Sequence, residues 1–385
     1  LKQIFIKTNT QKKWLQTLSE EGTEFSTRSA DTDEQSKFPK ENIDVLVNLG
    51  YTSLPLPQTY GGKGIGIYDM VLFQETIASS DAATGLSIGW HMGVTGELYE
   101  KKLWDDSKLA FFAEEVLNGA LVNRAVSEAQ TGSPTRGGRP GTTAVKKGGK
   151  WEISGRKTFT TMSPALTYFL TSAWIEEKQA IGFFLLHKES EGLSIEETWD
   201  VISMRGTESH DLVLDRVTVD DSMLMEINEG PRGNKVNGWI LHIPACYLGI
   251  AQAARDFALR FALEYSPNSI EGTISELPNV QRLLGEMDLE LTRCRHFIYN
   301  VAEAYDDEAR RPYMTNELGA VKYTITNSAI DIVDKAMRIV GAKSLQRQNP
   351  LQRYYRDVRA GLHNPPMDDV TILKLAQTAI QKGAN

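Results

Sequence analysis

The sequence predicts an α+β protein in three parts: an N-terminal helical domain over 1–118, a middle β-barrel domain over 119–222 and a C-terminal four-helix bundle over 223–385. Three observations predict it. Apolar residues recur at spacings of three and four up to about residue 118, the period drops to two over the next hundred residues, and the helical period then returns in long segments. A chain of 385 residues is too long for one small core and suits two or three packed domains.

In the first part, FPKENIDVLVNLG and YDMVLFQETIASS carry the helical spacing, and DDSKLAFFAEEVLNG adds an Asp at its start and Gly119 where a left-handed C-terminal cap belongs. The middle part reads as strands in KWEISGRKTFTT, LTYFLTSAWI, AIGFFLLH and DLVLDRVTV, with Leu212, Leu214, Val217 and Val219 set among polar residues. In the last part, 235–266, 277–307, 314–341 and 366–382 are the predicted helices, and SPNSIEGTISELP is the main flexible-looking connection.

Composition narrows the function classes. Hydrophobic residues make up 41% and charged residues 24%, as in ordinary globular proteins, and no apolar run approaches a membrane span. A net charge of −8 argues against a nucleic-acid partner, which needs a concentrated basic face, so small molecules are expected instead. Lys146, Lys147 and Lys150 flank a Gly-Gly turn and read as a solvated hairpin tip. Cys246 and Cys294, the only cysteines, read as buried thiols of a reduced compartment, and the N-terminal segment lacks the features of a secretory signal, so a cytoplasmic location is expected. The histidines have no metal-ligand spacing, and no metal is assigned.

Seven segments, in order, carry a more specific signal: PQTYGGKG (57–64), ETIASSD (75–81), VSEAQTGS (126–133), ISGRKTFTT (153–161), MRGTESHDLVLDRVTV (204–219), RIVGA (338–342) and YRDVR (355–359). Together they resemble the acyl-CoA dehydrogenase superfamily, over most of the chain from about residue 38. The resemblance implies a flavoprotein oxidoreductase of fatty acid metabolism that oxidises an acyl-CoA at its α and β carbons. It also implies FAD as cofactor, an electron-transfer flavoprotein as partner, and a homotetramer or homodimer that completes the site.

By the same resemblance, Val126 and Ser127 meet the flavin ring edge and Ser133 meets its phosphate. Phe159 lies beside the ring where the family has Trp, and Thr161 donates near flavin N5. Arg338, Gly341 and Ala342 reach the cofactor from the bundle, while His91 and Trp239 face the substrate.

Departures from the family pattern bear on the reaction. Pro134 stands where TEPGAGSD has Asp, and SPNSIEGT replaces the RxxFG segment whose Arg binds the flavin diphosphate. That guanidinium is lost or replaced by Arg338, Arg136 or Arg139, so FMN is the alternative to FAD. The glutamate that removes the α proton is absent: Pro365 holds its usual position and Trp239 the alternative one.

Two candidates take its place, Asp368 and His363. Asp368 and its neighbour Asp369 also suit the dipole of a helix start. His363, in LHNPP, matches the flavin monooxygenase branch, where reduced FMN from a flavin reductase reacts with oxygen to a C4a-hydroperoxide that a histidine and a hydroxyl, here Thr161, hydrogen-bond. A third alternative is a non-catalytic flavin or acyl-thioester binding protein.

Overall fold

The computed structural model describes residues 2–131, 138–228, 236–314 and 316–383. Its first part holds five helices: α1 (Asn9–Gln35), α2 (Lys40–Asn48), α3 (Ile67–Ser80), α4 (Ala82–Glu100) and α5 (Asp106–Leu117). Caps explain where they begin. Thr8 and Gln11 form a reciprocal capping box on α1, Asp81 accepts the Thr84 N–H at the start of α4, and Asp105 accepts the Lys108 N–H at the start of α5. Gly119 follows α5 at φ 92°, the left-handed position expected of it. Helices α3 and α4 are buried on nearly every side, as befits elements sandwiched between the rest of the chain.

Among the described residues eight strands make one sheet: β1 (Val122–Ala125), β2 (Thr143–Lys147), β3 (Lys150–Lys157), β4 (Tyr168–Ile175), β5 (Ala180–His187), β6 (Leu193–Glu196), β7 (Asp211–Asp220) and β8 (Leu224–Asn228). The order is β6-β7-β3-β2-β4-β5-β8, with β1 beside β4. Leu212, Leu214, Val217 and Val219 are all buried although 214 and 217 differ by an odd step. A bulge resolves this: Gly155 pairs with Leu214 and Ile153 with Val217, while Arg216 takes φ 55°. The β2–β3 turn is Gly148–Gly149, both left-handed, and its three lysines pair with Asp221, Glu152 and Asp220.

The last part contains α6 (His242–Glu264), α7 (Pro278–Asp306), α8 (Glu317–Val340), α9 (Pro350–Ala360) and α10 (Asp368–Gly383). Helix α9 is an addition to the four helices read from periodicity. It begins with Pro350 at its first turn and Asn349 accepting the Leu351 N–H, a start signal within a segment too short for periodicity to mark. Helix α6 is central, packing on α3 and α4 to one side and on α7, α8 and α9 to the other. Both cysteines are buried and free.

Candidate active site

Two loops at one end of the sheet, 158–163 after β3 and 203–210 before β7, frame two of the predicted flavin contacts, Phe159 and Thr161. Four non-glycine residues in them take left-handed backbone: Phe159 (φ 56°), Met162 (66°), Met204 (52°) and Glu208 (37°). Such residues are strained and cluster where function constrains the chain. The loops hold each other in place. Met162 N–H donates to Thr207 O at 2.9 Å, Thr160 N–H to His210 O at 3.1 Å, and the Ser163 hydroxyl to Glu208 O at 2.8 Å. Thr158 N–H reaches Ser127 O at 2.8 Å, which ties the half-buried Val126–Ser127 step to the same knot.

Phe159 emerges from this knot 66% exposed, with Trp199 edge-on at 6.0 Å. An exposed phenyl on a strained backbone is poorly explained as core and well explained as the wall of a planar ligand. Thr161 lies beside it, buried, with its carbonyl accepting from Asn123 Nδ2 at 3.1 Å. Its Oγ1 accepts from Ser209 Oγ at 2.9 Å, Ser209 is 2.9 Å from Thr207 Oγ1, and Met204 O lies 2.9 Å from that oxygen and accepts from the Thr207 N–H at 3.0 Å. The Met204 N–H in turn donates to Asp357 Oδ1 on α9 at 2.7 Å. Burial pushes the Asp357 carboxyl from its ordinary 3.8 up to about 7, against the pull of the Met204 N–H and of Arg353 and Arg356.

Behind the Val126–Ser127 step, Glu128 and Lys157 form a buried pair at 2.6 Å. Glu128 also accepts from the Thr142 hydroxyl and from the Gly141 and Thr142 N–H groups, and Lys157 reaches Ser172 Oγ. Burial would raise the Glu128 carboxyl, but the Lys157 ammonium and the Thr142 hydroxyl outweigh it and hold it below its ordinary value. The motif around these residues was legible, whereas their pairing was not.

The LHNPP loop follows the end of α9 and places His363 six residues after Asp357. His363 is exposed there, with its N–H on Ala360 O at 3.0 Å. The next residue is anchored: the buried Tyr247 hydroxyl of α6 donates to Asn364 Oδ1 at 2.5 Å. Asp368 is differently placed from what a base requires. Its two oxygens accept from Lys322 Nζ at 3.2 Å and Asn327 Nδ2 at 2.9 Å, which pins the start of α10 to α8. Lys322 itself is buried.

His91 and Trp239, read as substrate contacts, have different surroundings. His91 is fully buried, with Nδ1 accepting from Val122 N–H and Nε2 against Thr52 O, both at 3.1 Å, and burial lowers its pKa to about 4. Both ring nitrogens are thus spent on backbone, and the ring serves to join α4 to β1. Trp239 lies so close to Gly96 that a Cβ there would come within 2.2 Å of the indole, whose N–H donates to Glu100 at 2.8 Å. Trp239 does line a cavity of about 440 Å³, with Pro57, Ile65, Tyr99, Glu100 and Arg311 among the other walls. Three residues on, His242 is buried with an unpartnered Nδ1, and burial lowers its pKa to about 3.

Of the predicted cofactor contacts in the bundle, Gly341 follows α8 at φ 67° with open space around it, and Ala342 is exposed. Arg338 is exposed and bound to Asp334 at 2.7 Å. Arg139 is bound to Glu176 at 2.7 Å over the Trp174 ring. Ser133 and Arg136 lie outside the described residues. The site fits a flavin in its ring-binding half, where Phe159 offers an aromatic face and Thr161 a hydroxyl proton that Ser209 leaves free. Among the described residues no cluster of three or more His, Cys, Asp or Glu could hold a metal ion, and no helix is long and apolar enough to cross a membrane.

Comparison with known proteins identifies the family. Three family models match in order: acyl-CoA dehydrogenase N-terminal domain over residues 8–101, middle domain over 123–217 and C-terminal domain over 241–362. The chain is 61% identical to a putative acyl-CoA dehydrogenase, YdbM, of Bacillus subtilis (strain 168), over 98% of this chain and 99% of that one. It is 27% identical to L-evernosamine nitrososynthase of a Micromonospora strain, over 87% and 82% of the two chains. The structure of KijD3 in complex with FMN and a dTDP-amino-keto sugar superposes with a TM-score of 0.84 at 24% identity, covering 97% of this chain and 94% of that one. The chain belongs to the acyl-CoA dehydrogenase family, whose members are flavoenzymes.

Proposed function

From that membership we propose that the protein is a flavin-dependent monooxygenase of the two-component kind, using reduced FMN from a separate reductase and oxygen on a small-molecule substrate. One observation carries this reading: Asp368, the acid closest to the missing glutamate, has both oxygens engaged by Lys322 and Asn327. With Pro365 and Trp239 at the two family base positions, the groups left to handle a proton are the Thr161 hydroxyl and the His363 imidazole.

Bound reduced flavin supplies the electrons and the carbon that activate oxygen. Phe159 would orient the ring, Thr161 would offer it a hydroxyl hydrogen bond, and His363 would hold or return a proton. Val126 and Ser127 close the ring edge, and the cavity beside Trp239 takes the substrate. FMN is preferred to FAD because Arg338 and Arg139, two of the three candidate diphosphate donors, are bound to carboxylates. Exposed Ile372, Leu373 and Ile380 on α10 support burial against a second copy, as a dimer or tetramer, which light scattering tests.

The second reading is dehydrogenation of an acyl-CoA with FAD and an electron-transfer flavoprotein, favoured by the name of the 61% identical relative. Anaerobic stopped-flow mixing decides between them. On the monooxygenase reading, acyl-CoAs of several chain lengths leave the oxidised flavin band intact, and the band returns only after a delay when protein loaded with reduced FMN meets oxygen. Bleaching of the band by any acyl-CoA overturns it and establishes the dehydrogenase.

A further inference from the structure

We propose that Ser209 is a positioning residue, one that sets the direction in which the Thr161 hydroxyl points and so makes it a hydrogen-bond donor to the flavin. The inference rests on the reading that Thr161 faces the flavin, and it adds what controls that hydroxyl.

A threonine hydroxyl has one proton and two lone pairs, and it rotates to suit its surroundings. At Thr161 the surroundings leave little choice. Ser209 Oγ donates to Thr161 Oγ1 at 2.9 Å, so one lone pair is occupied and the Thr161 proton turns away from Ser209. The Thr161 carbonyl is held by Asn123, and the backbone on either side is held by Thr160 N–H on His210 O and Met162 N–H on Thr207 O. The hydroxyl is therefore the one polar group of Thr161 available to a ligand.

Ser209 is fixed in turn. It is 3% exposed, and its oxygen lies 2.9 Å from Thr207 Oγ1, which contacts Met204 O at 2.9 Å. Ser209 has one proton and spends it on Thr161, so at Thr207 it accepts, and the turn below is held by the Thr207 N–H on Met204 O at 3.0 Å. Thr207 ends a short 3-10 turn and Glu208 takes left-handed backbone, a bend that leaves the Thr207 and Ser209 hydroxyls in contact while the Glu208 carboxylate lies beside His210.

Removing the Ser209 hydroxyl leaves the backbone bonds of Thr161 in place and frees its hydroxyl to rotate. The expected loss is that of one oriented neutral hydrogen bond, about tenfold in affinity for FMN or in the rate of the flavin step. A merely structural serine would lower the melting temperature without changing the flavin.

The test is a double-mutant cycle on the full-length protein with FMN as the probe. Ser209→Ala, Thr161→Val and the double variant are compared by FMN titration and by the position of the bound flavin's visible band. The proposal expects both single variants to shift the band in the same direction, the double variant to match Thr161→Val, and Ser209→Thr to restore the wild-type band. Effects of Ser209→Ala that add in full to those of Thr161→Val, or an unchanged band in Ser209→Ala while Thr161→Val shifts it, overturn the positioning role and leave the site reading standing. An unchanged band and affinity in Thr161→Val removes the site reading itself. If Ser209→Ala does not fold, Thr207→Val reads the same row one step further: a partial shift supports the proposal, and none overturns it.

Discussion

The two sides of the candidate site are built differently. On the sheet side, four left-handed residues are held by cross-bonds between two loops, and the buried Glu128–Lys157 pair stands behind them. On the bundle side, the LHNPP loop leaves the end of α9 with His363 exposed and is anchored by Tyr247 on Asn364 and by the start of α10. Strained backbone persists only where its surroundings over-determine it, so the sheet side is the rigid one, and it is the side proposed above to hold the flavin ring. His363, the group proposed above to distinguish the reaction, lies on the lightly held side. A family can change its chemistry there without rebuilding the face that holds the ring.

The largest effect that tests this contrast is expected from Lys157→Met. It strands the Glu128 carboxylate in the interior and should destabilise the protein by about 3–5 kcal/mol in denaturant unfolding. A loss near zero would mean that the pair does not brace the sheet side.

Next in size is a pH effect at the junction of the two sides, where Asp357 of α9 meets Met204. Folding raises this carboxyl from 3.8 to about 7, so between those values the folded state holds a proton that the unfolded state has lost. Stability from this group is complete below about pH 4 and falls as pH rises towards 7. Thermal melts of wild type and Asp357→Asn should therefore diverge across that window, with the variant lacking this slope. Parallel melting curves would place Asp357 in an ordinary carboxylate environment.

His363→Ala should spare the fold and cost on the order of 100-fold in oxygenation, the scale of a lost proton-transfer group. Unchanged oxygenation would move the reaction-specific chemistry away from the LHNPP loop.

The smallest effects belong to the anchors. Asp368→Asn and Tyr247→Phe should each cost roughly 1 kcal/mol of stability and change the flavin reaction by only a few-fold. A 100-fold loss in Asp368→Asn alone would restore that residue as the base.

Much of this was legible from residue order. The switch of period from helix to strand and back marks the three parts, because periodicity is a local property of a chain lying on a core. Phe159 and Thr161 are singled out by the resemblance of the short motif ISGRKTFTT, since periodicity alone reads Phe159 as a strand core residue. Helix α9 escaped periodicity because 11 residues offer too few repeats, although its Asn-Pro start is visible afterwards.

The site's polar partners were not legible. His91 is joined to Thr52 and Val122, Trp239 to Glu100, Asp368 to Lys322, and Ser209 to Thr161, across separations of 31 to 139 residues. Short-range patterns carry no information about such pairs. The sequence by itself determined the family, the order of the layers and the absence of a carboxylate at Pro365 and Trp239. Only the tertiary structure decided which polar groups are spent on each other and which remain for a ligand. The physical reason is that a buried donor or acceptor must find a partner wherever the fold provides one, and the fold brings together segments that the chain keeps far apart.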